Sequence, residues 1–129
     1  MVALAAGGCG REAAPAVSEA RLAVRSYYVA VVRGDWPAAY ALLAPEVQTR
    51  LGADDFAALG KTYRAGFGFE PAAVEVRSCD EHGEEATALV VVTDQSTPRR
   101  KHFRETVTLR KGPAGWRVVP PGRFEGRRR

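Results

Sequence analysis

The chain has 129 residues, 46% of them hydrophobic and 26% charged, the make-up of one globular domain able to bury about two thirds of its unfolded surface without disulfide or metal staples. Nineteen basic against 15 acidic residues leave a net charge of +4, yet Arg123, Arg127, Arg128 and Arg129 against Glu125 put +3 of it into residues 121–129. The remaining body is near neutral and has no basic face to recommend nucleic acid, and no apolar run nears the roughly 20 residues of a membrane-spanning helix.

Residues 1–10 read M-V-A-L-A-A-G-G-C-G. Small and apolar residues running into a cysteine resemble the end of a bacterial lipoprotein signal peptide, in which Cys9 would become the acylated first residue of the mature protein. Such a signal also has a basic start and a longer apolar stretch, so residues 1–17 read as a truncated signal and a tether, with an upstream start expected to supply the rest. The alternative is an unstructured end with an incidental cysteine. Residues 10–17, G-R-E-A-A-P-A-V, suit a short tether. Acylation of Cys9 would leave Cys79 as a small buried apolar residue; a Cys9–Cys79 disulfide is the competing expectation.

Residues 18–43 predict two helices broken at Gly34. Ser18 is a good N-cap, and Glu19 follows where a negative charge suits the helix dipole. Ala20, Val24, Tyr27, Tyr28 and Val31 recur at helical spacing as one apolar stripe, with Arg21, Arg25 and Arg33 on the other side. Gly34 fits the position past a helix end that needs positive φ. Asp35 caps the second helix, Pro37 is tolerated in its first turn, and Trp36, Ala39, Tyr40 and Leu43 form its buried side. Pro45 stops it. A short helical turn over residues 45–51 leads to Gly52, and a further helix opens at A-D-D-F, with Phe56, Leu59 and Tyr63 inward. The stretch A-G-F-G-F at residues 65–69 breaks that helix, and its phenylalanines form either a hydrophobic plug or the rim of a pocket.

From Pro71 the period changes to that of strands. Val74, Val76 and Ser78 alternate with Glu75, Arg77 and Cys79. Residues 80–83 are turn material. Residues 85–93 are apolar on both faces, as in a central strand. Residues 94–100 form a polar hairpin loop. In residues 101–110, Phe103, Glu105, Val107 and Leu109 share one face, with His102, Arg104, Thr106, Thr108 and Arg110 on the other. A Pro/Gly turn precedes a last strand at residues 116–119. Helices followed by hairpin-linked strands predict an α+β fold with N-terminal helices packed on an antiparallel sheet.

Y-Y-V-A-V-V-R-G-D-W-P-A-A-Y-A-L-L, the helix opening A-D-D-F and the closing strand G-W-R-V-V are together similar to the nuclear transport factor 2-like superfamily, nearest its small bacterial secreted or lipid-anchored members. The resemblance spans residues 18–120 and leaves 121–129 as a basic tail. It implies a cone in which helices pack on a strongly curved sheet, often around a pocket. Some members are isomerases, dehydratases or cyclases; many only bind ligands or partners, so the fold confers no function by itself.

The residues expected to line such a pocket are Tyr28, Trp36, Tyr40, Phe56, Phe67, Phe103 and Glu105. Glu105 is the one catalytic candidate, because an acid on an apolar strand face would have a raised pKa suited to proton transfer. Against it stand an outward-turned strand end or an arginine partner. Tyr28 and Tyr40 could assist, although tyrosines on helix stripes are more often core. His82 and His102 sit apart in a turn and on a polar face, which gives no metal-ligand pattern, and no phosphate loop or cofactor motif is present. The leading reading is therefore a non-enzymatic lipoprotein of the bacterial cell envelope, anchored to the membrane at Cys9. Its domain would bind a small apolar ligand or an envelope protein. An isomerase- or dehydratase-like enzyme using Glu105 is the alternative, and a homodimer through the outer face of the sheet is a third reading. The basic tail is solvated or touches anionic lipid head groups.

Overall fold

Ser18 opens the first helix, α1 (Glu19–Arg33), by accepting the Arg21 N–H on Oγ at 3.1 Å. The helix ends where Gly34 turns left-handed at φ 71° and returns its N–H to the carbonyls of Ala30 and Val31. The next residue starts α2 (Trp36–Ala41), with Asp35 Oδ1 accepting the Ala38 N–H at 3.2 Å and Pro37 in the first turn. α2 ends at Ala41 with Leu42 as its cap, ahead of the proline expected to stop it, and Pro45 instead begins α3 (Pro45–Arg50), where its missing N–H is no loss. The fourth helix, α4 (Ala53–Ala65), carries Asp54 and Asp55 in its first turn and closes at Gly66. This computed structural model describes residues 18–95 and 101–121. Cys9, the tether, residues 96–100 of the polar hairpin loop and the basic tail beyond Pro121 lie outside the described residues.

Four strands follow: β1 (Ala73–His82), β2 (Glu85–Thr93), β3 (His102–Gly112) and β4 (Gly115–Val119). They form one antiparallel sheet in the order β1-β2-β3-β4. The fold is thus α+β, with helices packed on a curved antiparallel sheet. Val76, Val90, Val92, Val107, Leu109 and Val118 from the sheet meet Ala20, Val24, Tyr27, Tyr28 and Val31 from α1, the stripe read in the sequence. Each fully buried Val or Leu of this layer contributes roughly 1.5–3 kcal/mol. The junction between α2 and α3 is stitched to β4: Ala44 N–H donates to Val118 O at 2.9 Å, and Val118 N–H donates to Leu42 O at 2.8 Å. Among the described residues no helix is long and apolar enough to cross a membrane.

One expectation is corrected in β1. Pairing runs Val76 to Val90 and then Ser78 to Leu89, so Arg77 is an extra residue in a β-bulge. The bulge reverses the alternation. Ser78 leaves the face it was expected to share with Val74 and Val76, and Cys79 takes the core side, across from buried Ala88. Cys79 is a half-buried free thiol packed against the core. Desolvation raises its pKa most, with the nearby Arg21 charge opposing. Arg21 also departs from the expected outward placement, since its guanidinium donates to Val76 O at the bulge.

Candidate functional site

Glu105 sits in the middle of β3, opposite Val90 of β2. The two-residue period that buries Val107 and Leu109 carries Glu105 to the same concave face, where it is half-buried. Glu105 therefore does not turn outward. Its Oε1 accepts the Tyr63 hydroxyl from α4 at 3.0 Å, and the Tyr63 oxygen lies 3.1 Å from the Tyr28 hydroxyl on α1. A phenol has one hydrogen to give. With the Tyr63 hydrogen committed to the carboxylate, Tyr28 must donate to Tyr63. Three elements therefore converge on one directed chain, Tyr28 to Tyr63 to Glu105.

Aromatic rings wall this chain. Tyr63 packs edge-on to Phe67 at 5.4 Å and to Phe103 at 5.8 Å between centroids. Phe67 and Phe103 are 4.7 Å apart, Phe69 stacks on Phe67 at 6.0 Å, and Tyr27 lies 5.2 Å from Tyr28. Burial pushes the Tyr63 phenol far above the usual tyrosine range; the Tyr28 hydrogen bond opposes this and the Glu105 charge adds to it. Burial, followed by the Tyr28 neighbour, likewise raises Tyr27. Both phenols stay protonated at any physiological pH. The arrangement sets a carboxylate at the edge of an apolar wall, and a carboxylate can accept several hydrogen bonds or take up a proton.

The expected pocket residues share one core but fall into two sets of ring contacts and hydrogen bonds. Tyr28, Phe67, Phe103 and Glu105 come together through Tyr63. Trp36, Tyr40 and Phe56 form a second cluster among the helices: Trp36 meets Phe56 edge-on at 6.2 Å, and Tyr40 meets it at 5.7 Å. The Tyr40 hydroxyl donates to Leu51 O at 2.8 Å and its backbone carbonyl accepts Gln48 Nε2 at 2.7 Å. It ties α2 to α3 and does not assist Glu105. The residue missing from the expected set was Tyr63. The signal for it was present, because Phe56, Gly60, Tyr63 and Phe67 are spaced by four, three and four residues along one helical line. Among the described residues no group of three or more His, Cys, Asp or Glu could hold a metal ion.

No protein-family model matches the chain, and no curated protein matches it. Solved structures do. A protein of Campylobacter jejuni named as an NTF2-like (nuclear transport factor 2-like) transpeptidase superposes with a TM-score of 0.62 at 13% identity, over 81% of this chain and 100% of its own. A SEC-C motif containing protein from Rhodopseudomonas palustris superposes with a TM-score of 0.56 at 17% identity, over 77% of this chain and 73% of its own. The likeness is one of fold. It agrees with the nuclear transport factor 2-like resemblance seen in the residues and leaves activity to be argued from the site.

Proposed function

We propose that this chain is a lipid-anchored protein of a bacterial envelope, held at Cys9, whose conical domain binds a small, mostly apolar ligand or an apolar segment of an envelope protein and performs no reaction. The observation that carries the binding reading is the Tyr28–Tyr63–Glu105 chain ending among Phe67, Phe69 and Phe103. A ligand with an apolar body and one hydrogen-bond donor matches it: rings for the body, the carboxylate for the donor. Phe67 is the plug such a ligand would displace. It is buried between Gly66 and Gly68, and the latter, at φ 82°, is a position a side chain would strain. The L-A-A-G-G-C stretch supports the anchor.

The test uses full-length protein with its upstream leader, isolated from membranes. Intact mass reports acylation, and an organic extract of the folded protein reports any bound small molecule. Acylated protein that loses its membrane association in Cys9→Ser, with an extractable ligand lost in Glu105→Gln, is the expected pair of results. Unchanged partitioning of Cys9→Ser removes the anchor. A ligand retained equally by Glu105→Gln and Phe103→Ala removes the binding site.

One observation favours a second reading, an isomerase- or dehydratase-like enzyme. A carboxylate that receives a phenol while facing an apolar wall is equipped for acid/base work. Exchange of the α-protons of a bound enolisable ketone into D2O, followed by NMR and abolished in Glu105→Gln, would move the assignment to this reading.

A further inference from the structure

We infer that the cleft where the end of α1 meets the last turns of α4 is a binding site for a phosphate-bearing anion. Arg33, Gly34, Trp36, Lys61, Arg64 and Ala65 line a cleft of about 330 Å³. Three of these six side chains are cationic and none is acidic. Folding has gathered like charges from two helices that are far apart in sequence, an arrangement that repels until an anion fills it.

The three cations divide the work. Arg64 is committed to the fold: Nε and Nη2 donate to Val32 O at 2.9 and 2.8 Å, and Nη2 also meets Glu70 at 2.7 Å. By capping a carbonyl at the end of α1, Arg64 offsets the negative helix terminus that would otherwise oppose an anion there. Arg33 and Lys61 are both exposed, and among the described residues no side-chain hydrogen bond or ion pair engages either. An arginine fork beside a lysine point charge suits phosphate oxygens. Trp36, 8% exposed, borders the cleft with an apolar edge. Arg33 also borders the adjoining groove with Arg25 and Asp35, and the Asp35 carboxylate there is turned to the Ala38 N–H. The site is separate from Tyr63 and Glu105 and does not rest on the proposed function.

The phosphate has two sources, a soluble metabolite or a lipid head group, and the experiment separates them. The full chain, labelled with 15N, is titrated with inorganic phosphate. In parallel it is floated with phosphatidylcholine vesicles with and without phosphatidylglycerol. Phosphate should shift the amides of Arg33, Gly34 and Lys61 and the indole of Trp36. Arg33→Gln and Lys61→Gln should each weaken binding about fivefold, and the pair more. Arg104→Ala, on the outer face of the sheet, serves as the control and should change nothing. Response to phosphate alone assigns a soluble source; flotation on phosphatidylglycerol that the same variants reduce assigns a head group. No response to either probe, or weakening by Arg104→Ala equal to that by Arg33→Gln, overturns the site.

Discussion

Gly60 lies in the interior of α4, where alanine is ordinarily the better residue by about 1 kcal/mol. Here the sign should reverse. A Cβ built on Gly60 would stand 2.5, 2.7 and 3.0 Å from Cζ3, Cε3 and Cη2 of Trp36. Carbon atoms rest at roughly 3.5–4.0 Å, so the indole must retreat by about 1 Å. Its retreat is resisted by Phe56, edge-on at 6.2 Å, in a cluster where Trp36 is only 8% exposed. Overpacking of this kind costs roughly 1–3 kcal/mol, which outweighs the propensity gain. Gly60→Ala should therefore lose a net of about 1 kcal/mol, the middle of that cost less the propensity gain, read as a lower urea midpoint at unchanged slope and a melting point lower by about 5 °C. The cause is separable by a double-mutant cycle: in a Trp36→Leu background the ring atoms are gone, and Gly60→Ala should become neutral or stabilising. A Gly60→Ala protein stabilised by about 1 kcal/mol on its own would refute the packing of α2 against α4 described here.

The tyrosine chain makes a pH prediction. A phenol titrates near 10 in the unfolded chain, whereas Tyr27 and Tyr63 are raised well above that when folded. The stability held by their burial is complete below pH 10 and is lost as pH rises further, since only the unfolded state releases those protons. The unfolding free energy from denaturant melts should fall at up to about 2.7 kcal/mol per pH unit beyond pH 10 for the two groups together, and absorbance at 295 nm should show their ionisation only on unfolding. Tyr63→Phe removes the hydroxyl that links Tyr28 to Glu105, so it should cost about 1–3 kcal/mol. Tyr28→Phe should cost less because Tyr63 keeps its acceptor; equal losses in urea melts would reverse the direction assigned to the chain. Gly34→Ala meets no atom within 4 Å yet must hold φ 71°. Its cost is backbone alone, about 1–2 kcal/mol, and Gly34→Asn should recover part of it; an Ala variant as stable as the parent would count against the left-handed turn.

The helices were legible because their signals are local. Ser18, Gly34 and Asp35 act within one turn of themselves, and each does so here as its side chain and φ preference dictate. The inward face of β3 was legible for the same reason, since alternation from Phe103 to Leu109 needs no partner to be read. What strict alternation concealed was the bulge. Arg77 is one residue too many only in relation to β2, and a register is a property of two strands; Cys79 consequently changed faces without any local sign.

The grouping of the candidate site was hidden by a related cause. Seven residues were expected around one pocket because each lies on an apolar stripe, but a stripe records burial and not which neighbour does the burying. Phe56 and Tyr63 occupy the same line of α4 and end in different clusters, the first under Trp36 and Tyr40, the second between Tyr28 and Glu105. The difference is their distance along the helix axis: seven residues is about 10 Å, enough to pass from the α2 contact to the sheet. Glu105 meets a phenol because the Tyr63 side chain, from the last turns of α4, reaches the inward face of β3. A helix line read together with the point at which its far end meets a strand would have nominated Tyr63. That pairing of a half-buried tyrosine with the lone acid of an apolar strand face is the feature on which the binding and catalytic readings both turn.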